Sequence, residues 1–302
     1  MASLKSLQEY TKTVLVLDND ECIGAWSMAS AIYNVFADYV PKNTGIQVSE
    51  CLRLFKDCLI KYYLSKGGAR PGTKETLKLI KFYKEAGTIN HVLMYTSSPN
   101  HNDWVNFLKD CLEQYADVKG LYDCVLHREN TDTKVSADGA TVKCLNMVRE
   151  KMGLDKKSKV IIIDDRPHNV TGEGVRIAVT PYRHIVDEEN LSDMIDEMLD
   201  TLQNMYKPIP GVKTYAPKLL RKMLKDVILI DPNGIKKEIN DNRLIHRCPV
   251  NQMDDTNLIT KGMMMFIDHL KPTHMNRSLS GELDISSIQP SKMTRSLSVP
   301  VS

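Results

Sequence analysis

The strongest constraint on the fold is a set of three short apolar runs, each ending abruptly in polar residues. Val14-Leu15-Val16-Leu17 gives way to Asp18-Asn19-Asp20-Glu21-Cys22. His91-Val92-Leu93-Met94-Tyr95 leads into Thr96-Ser97-Ser98-Pro99, and Val160-Ile161-Ile162-Ile163 into Asp164-Asp165-Arg166-Pro167. Runs this apolar suit strands covered on both faces, as in a parallel sheet. Such sheets place their chemistry just beyond the carboxyl ends of the strands. Alternate residues of an extended chain point the same way, so Asp18 and Asp20 can face one pocket.

Between these runs the three- and four-residue spacing of apolar side chains predicts helices over 26–40 and 48–64. Arg70-Pro71-Gly72 is a break, after which a helix restarts over 73–85 and stops at Gly87. Further helices are expected over 102–115, over 141–152 with Gly153 as its terminator, and over 188–205. Short strands are expected at 122–126 and 176–180. This alternation predicts a three-layer α/β domain with a central parallel sheet and right-handed crossovers.

A chain of 302 residues can bury one large core or two modest ones. A net charge of +2 gives no general electrostatic attraction to nucleic acid or membranes. The seven cysteines, an odd number without a C-x-x-C pair, point to a reducing compartment and away from zinc. Residues 1–12 lack an apolar segment of signal-peptide length, and no run approaches the ~20 apolar residues of a membrane span. An intracellular protein, cytoplasmic or nuclear, is expected. Lys207-Pro208-Ile209-Pro210-Gly211 reads as a linker. Residues 206–272 are too mixed in pattern to assign a fold, and from Thr273 the Ser-rich composition predicts disorder. Arg277-Ser278-Leu279-Ser280 recurs as Arg295-Ser296-Leu297-Ser298, a repeat too small to be a structural unit.

If the three strands are parallel neighbours, their tips converge. Four carboxylates in one dry pocket repel unless a cation sits among them. Hard oxygen donors without matching Cys or His favour magnesium over zinc. Hydroxyls and a lysine beside such a site suit a phosphoryl group. Blander readings exist for each motif. Asp18 and Asp20 could form a solvated turn, although a calcium loop fails at Cys22-Ile23. Thr96 could cap the next helix, a role compatible with phosphate binding at a helix N-terminus. Asp164-Asp165 could be a loop before Pro167. Neighbouring carboxylates raise a thiol pKa, which argues against Cys22 as a nucleophile. His168 reads as a loop residue, and Arg166 either touches substrate or pairs with a carboxylate. No P-loop pattern occurs, which argues against an ATP-driven kinase.

These residues resemble the haloacid dehalogenase (HAD) superfamily of phosphatases. Its motifs run strand then D-x-D-x-T, strand then Thr or Ser, a lysine, and strand then an acidic pair. Over residues 13–203 the chain is most similar to the branch that dephosphorylates the C-terminal domain of RNA polymerase II. That branch shares the glutamate of the first motif (Glu21) and an R-P-G turn (Arg70-Pro71-Gly72). Its Phe-Thr-Ala-Ser site is similar to Tyr95-Thr96-Ser97-Ser98, and its acidic pair followed by Ser-Pro to Asp164-Asp165-Arg166-Pro167. The chain departs from the branch at Cys22, where a threonine is usual, and in a longer helical insert over 24–66, expected to act as a cap.

The resemblance implies a Rossmann-like HAD core and a Mg2+-dependent phosphomonoester hydrolase. Asp18 is the implied nucleophile and Asp20 the acid and base. Thr96 and a lysine hold the phosphoryl group, with Lys143 preferred to Lys134. Asp18, Asp20 (through its carbonyl), Asp164 and Asp165 bind the metal. The expected division is a catalytic domain over 1–205, an accessory segment over 206–272 and a tail over 273–302. The expected partner is a phosphorylated substrate, either a Ser/Thr phosphoprotein or a nucleotide or sugar phosphate. A non-catalytic interaction protein of the same fold is the alternative. Arg295-Ser296-Leu297-Ser298-Val299-Pro300 resembles a phosphoserine ligand of 14-3-3 proteins, although short matches also arise by chance in Ser-rich tails.

Overall fold

The computed structural model describes residues 12–130, 142–182, 186 and 188–205. The first apolar run forms β1 (Thr13–Leu17). A helical insert follows: α1 (Ser27–Asn34), a π-helical segment (Val35–Tyr39), α2 (Val40–Thr44), α3 (Val48–Cys58), a second π-helical segment (Leu59–Tyr63) and a 3-10 turn (Leu64–Lys66). Next come α4 (Thr73–Glu85), β2 (His91–Tyr95), α5 (Trp104–Ala116) and β3 (Cys124–Leu126). The described chain continues through β4 (Lys143–Cys144), α6 (Leu145–Lys151), β5 (Lys159–Asp164), β6 (Val170–Thr171), β7 (Val175–Ala178) and α7 (Glu188–Met205).

Five strands form one sheet in the order β3-β2-β1-β5-β7, with every pairing parallel. Side-chain alternation divides the strands between two cores. Leu15, Leu17, Val92, Met94, Ile161 and Ile163 join one core with α1, α3, α4, α5 and α7. Val14, Val16, Leu93, Tyr95, Val160 and Ile162 join the other, where Leu145 and Val148 of α6 cover them. Each fully buried aliphatic contributes roughly 1.5–3 kcal/mol, which explains why these runs carry no polar side chain in their interiors. The chain steps outward from β1 through β2 to β3, then crosses to β5 on the other side of β1. Strand order therefore reverses between β1 and β5, where a doubly wound sheet opens its crevice.

The insert lies against the helical face of the sheet. In α3, Cys51, Leu54, Phe55 and Cys58 recur on one buried stripe. That helix and the second π-helical segment pack on α7, where Glu197 accepts hydrogen bonds from Lys61 (2.6 Å) and the Tyr62 hydroxyl. Tyr33 packs at a tilt against Phe55, Trp104 and Phe107 and donates its hydroxyl to the Asn102 carbonyl, 2.5 Å away. These contacts fasten the insert to α5 and α7.

Several boundaries differ from the sequence reading. The helix expected over 26–40 runs on to Thr44 through a π-helical stretch, and Gly45 ends it at φ 70°. The helix expected from 102 starts at Trp104, because Asn102 and Asp103 adopt positive φ angles of 49° and 65°. The helix expected from 141 begins at Leu145, because Lys143 and Cys144 are extended and pair with Val170 and Thr171. The strands expected over 122–126 and 176–180 are shorter, at Cys124–Leu126 and Val175–Ala178. Lys134, residues 1–11, the 207–211 linker, the 206–272 segment and the 273–302 tail lie outside the described residues. Among the described residues no helix is long and apolar enough to cross a membrane.

Candidate active site

The parallel register brings the first and third motifs together. Asp18 N donates to the Ile163 carbonyl at 2.9 Å, extending the ladder past Leu17 and setting Asp18 beside Asp164. Lys143 Nζ lies between them, 2.5 Å from Asp18 Oδ1 and 2.7 Å from Asp164 Oδ2. All three side chains are at most 5% exposed. Lys143 reaches this position because β4 pairs with β6, directly after the fourth motif, and because Cys144 N donates to the Tyr95 hydroxyl at 3.1 Å. The lysine therefore comes from a short strand before α6, not from the first turn of a helix as the sequence suggested.

Asp18, Asp164 and Asp165 offer oxygens that all lie within 4.8 Å of one another. Asp164 Oδ1 accepts from Arg166 N at 2.6 Å. Asp165 Oδ2 is buried and accepts no hydrogen bond, with the Arg166 guanidinium Nε 3.4 Å away. Burial pushes the Asp18 carboxyl well above the usual carboxylate range; Lys143 counters this, and Asp164 and Asp20 add to it. Burial likewise raises Asp165. Burial opposes the charge on Lys143, but Asp18 and Asp164 together outweigh it and hold the ammonium above the ordinary lysine value. One ammonium thus serves a cluster of three acids, a set of hard oxygen donors suited to a divalent cation.

Asp20 follows β1, and its carboxylate reaches the residues just beyond β2. Its Oδ2 accepts from both the Thr96 hydroxyl and Ser98 Oγ, the latter at 2.9 Å. Thr96 in turn accepts from Ser98 N at 2.9 Å and is fully buried. In this conformation the Thr96 hydroxyl donates to the Asp20 carboxylate. A cavity of about 250 Å³ opens above these groups, lined by Asp18, Asp20, Lys143, Asp164 and Asp165 together with Glu21, Ser97, Ser98, Arg128, Arg166 and Asn169. No residue of the 24–66 insert is among the lining residues.

The first-motif loop is held by its own backbone and by the R-P-G turn. Glu21 takes a positive φ of 57°, and its N–H donates to the Gly24 carbonyl at 2.9 Å. Trp26 Nε1 donates to the Asn19 carbonyl at 3.0 Å. Gly24 is required here: a Cβ would stand 2.3 Å from the Trp26 ring and 2.5 Å from the Gly68 carbonyl oxygen. The buried Arg70 guanidinium donates to the carbonyls of Cys22 (3.0 Å) and Thr180, and Thr73 Oγ1 donates to the Ile23 carbonyl at 3.1 Å. Arg70 therefore ties the first motif to the chain beyond β7.

Cys22 lies beneath the site and outside the cavity. Its thiol donates to the Ile163 carbonyl, and burial, reinforced by Asp18, raises its pKa well above the ordinary value. His168 is exposed and does not line the cavity. Arg166 pairs with Glu21 Oε2 at 3.2 Å, approaches Asp165 and also lines the cavity. Sequence reasoning missed Ser98, Arg128 and Asn169 as site residues. Ser98 belonged to a quoted motif, whereas Arg128 and Asn169 carried no motif signal.

Residues 13–209 match a protein-family model described as NLI interacting factor-like phosphatase. No curated protein matches the chain.

Proposed function

The chain belongs to the NLI interacting factor-like phosphatase family, within the HAD superfamily, and from this premise we propose a magnesium-dependent phosphomonoester hydrolase acting through an aspartyl-phosphate on Asp18. The observation that carries this reading is the buried Asp18–Lys143–Asp164 array at the strand reversal, open to a cavity. Asp18 attacks phosphorus as the ester bond to the leaving oxygen breaks. Asp20 gives that oxygen a proton, then takes one from the water that hydrolyses the aspartyl-phosphate. Lys143 orients Asp18 and faces the charge of the transferring group.

The residues fit a divalent cation. Asp165 Oδ2 is buried without a hydrogen-bond donor, and the lining carries five carboxylates against three cationic side chains. Asp18, Asp164, Asp165 and the Asp20 carbonyl would hold it. Magnesium, matched to hard oxygens, supplies charge neutralisation to the phosphoryl group when bound.

A phosphoprotein is the preferred substrate class, because no described insert residue lines the cavity and a site not walled by the insert admits a peptide. The test uses a generic aryl phosphate with and without magnesium, alongside phosphoenzyme trapping. Turnover is expected only with the metal, and Asp18→Asn should abolish the trapped phosphoenzyme while remaining folded. Full activity in Asp18→Asn would refute the mechanism.

A further inference from the structure

Asn169 is a polar side chain buried at the site without a partner. It is 7% exposed and lines the cavity, yet among the described residues no hydrogen bond reaches its carboxamide. Burying an amide with its hydrogen bonds unmade is costly, so each such group in a native fold calls for an explanation. Its backbone is fixed. Pro167–Asn169 forms a 3-10 turn directly after the acidic pair, and Asn169 N donates to the Arg166 carbonyl at 2.9 Å. The next residue, Val170, pairs with Lys143, so the amide and the ammonium reach the cavity from the same end of the β4–β6 pair.

The sheet sets this pair and the Thr96–Ser98 segment on opposite sides of Asp18, because β1 stands between β2 and β5. On the β2 side the hydroxyls of Thr96 and Ser98 donate to Asp20. On the β5 side Lys143 is held by two carboxylates, Asp18 and Asp164. There the Asn169 amide adds two hydrogens that meet no acceptor among the described residues.

We propose that Asn169 is a substrate-binding residue whose Nδ2 donates a hydrogen bond to a phosphoryl oxygen, on the Lys143 side of the group transferred to Asp18. The inference rests on the phosphatase reading above and adds to it a phosphate ligand that carries no charge. In a lining where acids outnumber cations, a further lysine or arginine would be taken up by a carboxylate. A neutral amide forms no ion pair with those acids and keeps its hydrogens for the substrate.

Inorganic phosphate, the product of the reaction, is the probe. Its dissociation constant is measured by isothermal titration calorimetry with saturating magnesium for wild type, Asn169→Ala and Asn169→Asp. Alanine removes the donor. Aspartate keeps the shape of the side chain but replaces the donor with an acceptor that repels an oxyanion. Phosphate affinity is expected to fall about tenfold in Asn169→Ala, the worth of one hydrogen bond, and further in Asn169→Asp. Magnesium affinity, titrated without phosphate, should be unchanged in Asn169→Ala. Thermal midpoints accompany each titration, and the isosteric aspartate decides the outcome if the alanine variant is unfolded. Unchanged phosphate affinity in a folded Asn169→Ala overturns the proposal. So does phosphate affinity preserved in Asn169→Asp, which would leave the amide a packing role. Weaker magnesium binding in Asn169→Ala also overturns it, because the amide would then serve the metal and not the phosphate. A wild type that neither binds phosphate nor turns over an aryl phosphate with magnesium would, by contrast, refute the phosphatase reading itself.

Discussion

Replacing Lys143 with methionine removes the one ammonium that offsets a buried cluster of acids, and the structure sets the scale of the loss. Its Nζ lies 2.5 Å from Asp18 and 2.7 Å from Asp164, with no side chain more than 5% exposed. At an effective dielectric of about 20 and a charge separation of roughly 4 Å, each pairing is worth about 4 kcal/mol before desolvation. Taking the ammonium out of water cancels part of that gain, and the net cost of deleting one partner of a buried pair is about 3–5 kcal/mol. For a domain of this size about 4 kcal/mol corresponds to a fall of roughly 8–16 °C in thermal midpoint. Calorimetry of wild type and Lys143→Met in metal-free buffer reads this directly. Adding Asp18→Asn to Lys143→Met should recover part of the loss, because one of the repelling carboxylates is then neutral. Turnover of Lys143→Met with magnesium should also fall by about two to three orders of magnitude. A midpoint within ~2 °C of wild type would refute the argument, since the cluster would then not depend on Lys143 for its charge balance.

Arg70→Ala should lower stability by about 2 kcal/mol, because the buried Cys22 carbonyl loses its donor. Chemical denaturation measures this, and an unchanged midpoint would remove the arginine from its role as a tie between the first motif and the chain after β7. Truncation after Lys271 should leave the phosphatase rate unchanged while abolishing any binding of a phosphoserine reader that depends on Ser298. Loss of turnover on truncation would show that the tail belongs to the catalytic unit.

Much of the sheet was legible because its interior strands are buried on both faces. In 14–17, 91–95 and 160–163 burial and strand propensity agree, so apolar runs marked β1, β2 and β5 within a residue or two. Their polar tips named Asp18, Asp164 and Asp165, which the register brings together. What failed was set by tertiary pairing. Nothing local in Lys143-Cys144 announces a strand, because its partners, Val170 and Thr171, lie well along the chain. The start of α5 was misplaced because two non-glycine residues adopt positive φ there, a conformation sequence pattern does not signal. The hydrogen bond from the Thr96 hydroxyl to the Asp20 carboxylate likewise joins two strand tips far apart in sequence, and no local pattern announces it.

The docking of the insert on α7 shapes how the chain must fold. Lys61 and Glu197 are 136 residues apart, so the apolar stripe of α3 leaves the ribosome long before the helix that covers it. At roughly 5–20 residues per second, α7 follows only after about 7–27 seconds. During that interval the part of α3 that packs on α7 is exposed on an unfinished protein, a condition that favours aggregation or chaperone capture. Closure by α7 is also a contact of high sequence separation, which places the insert among the late and slow steps of folding.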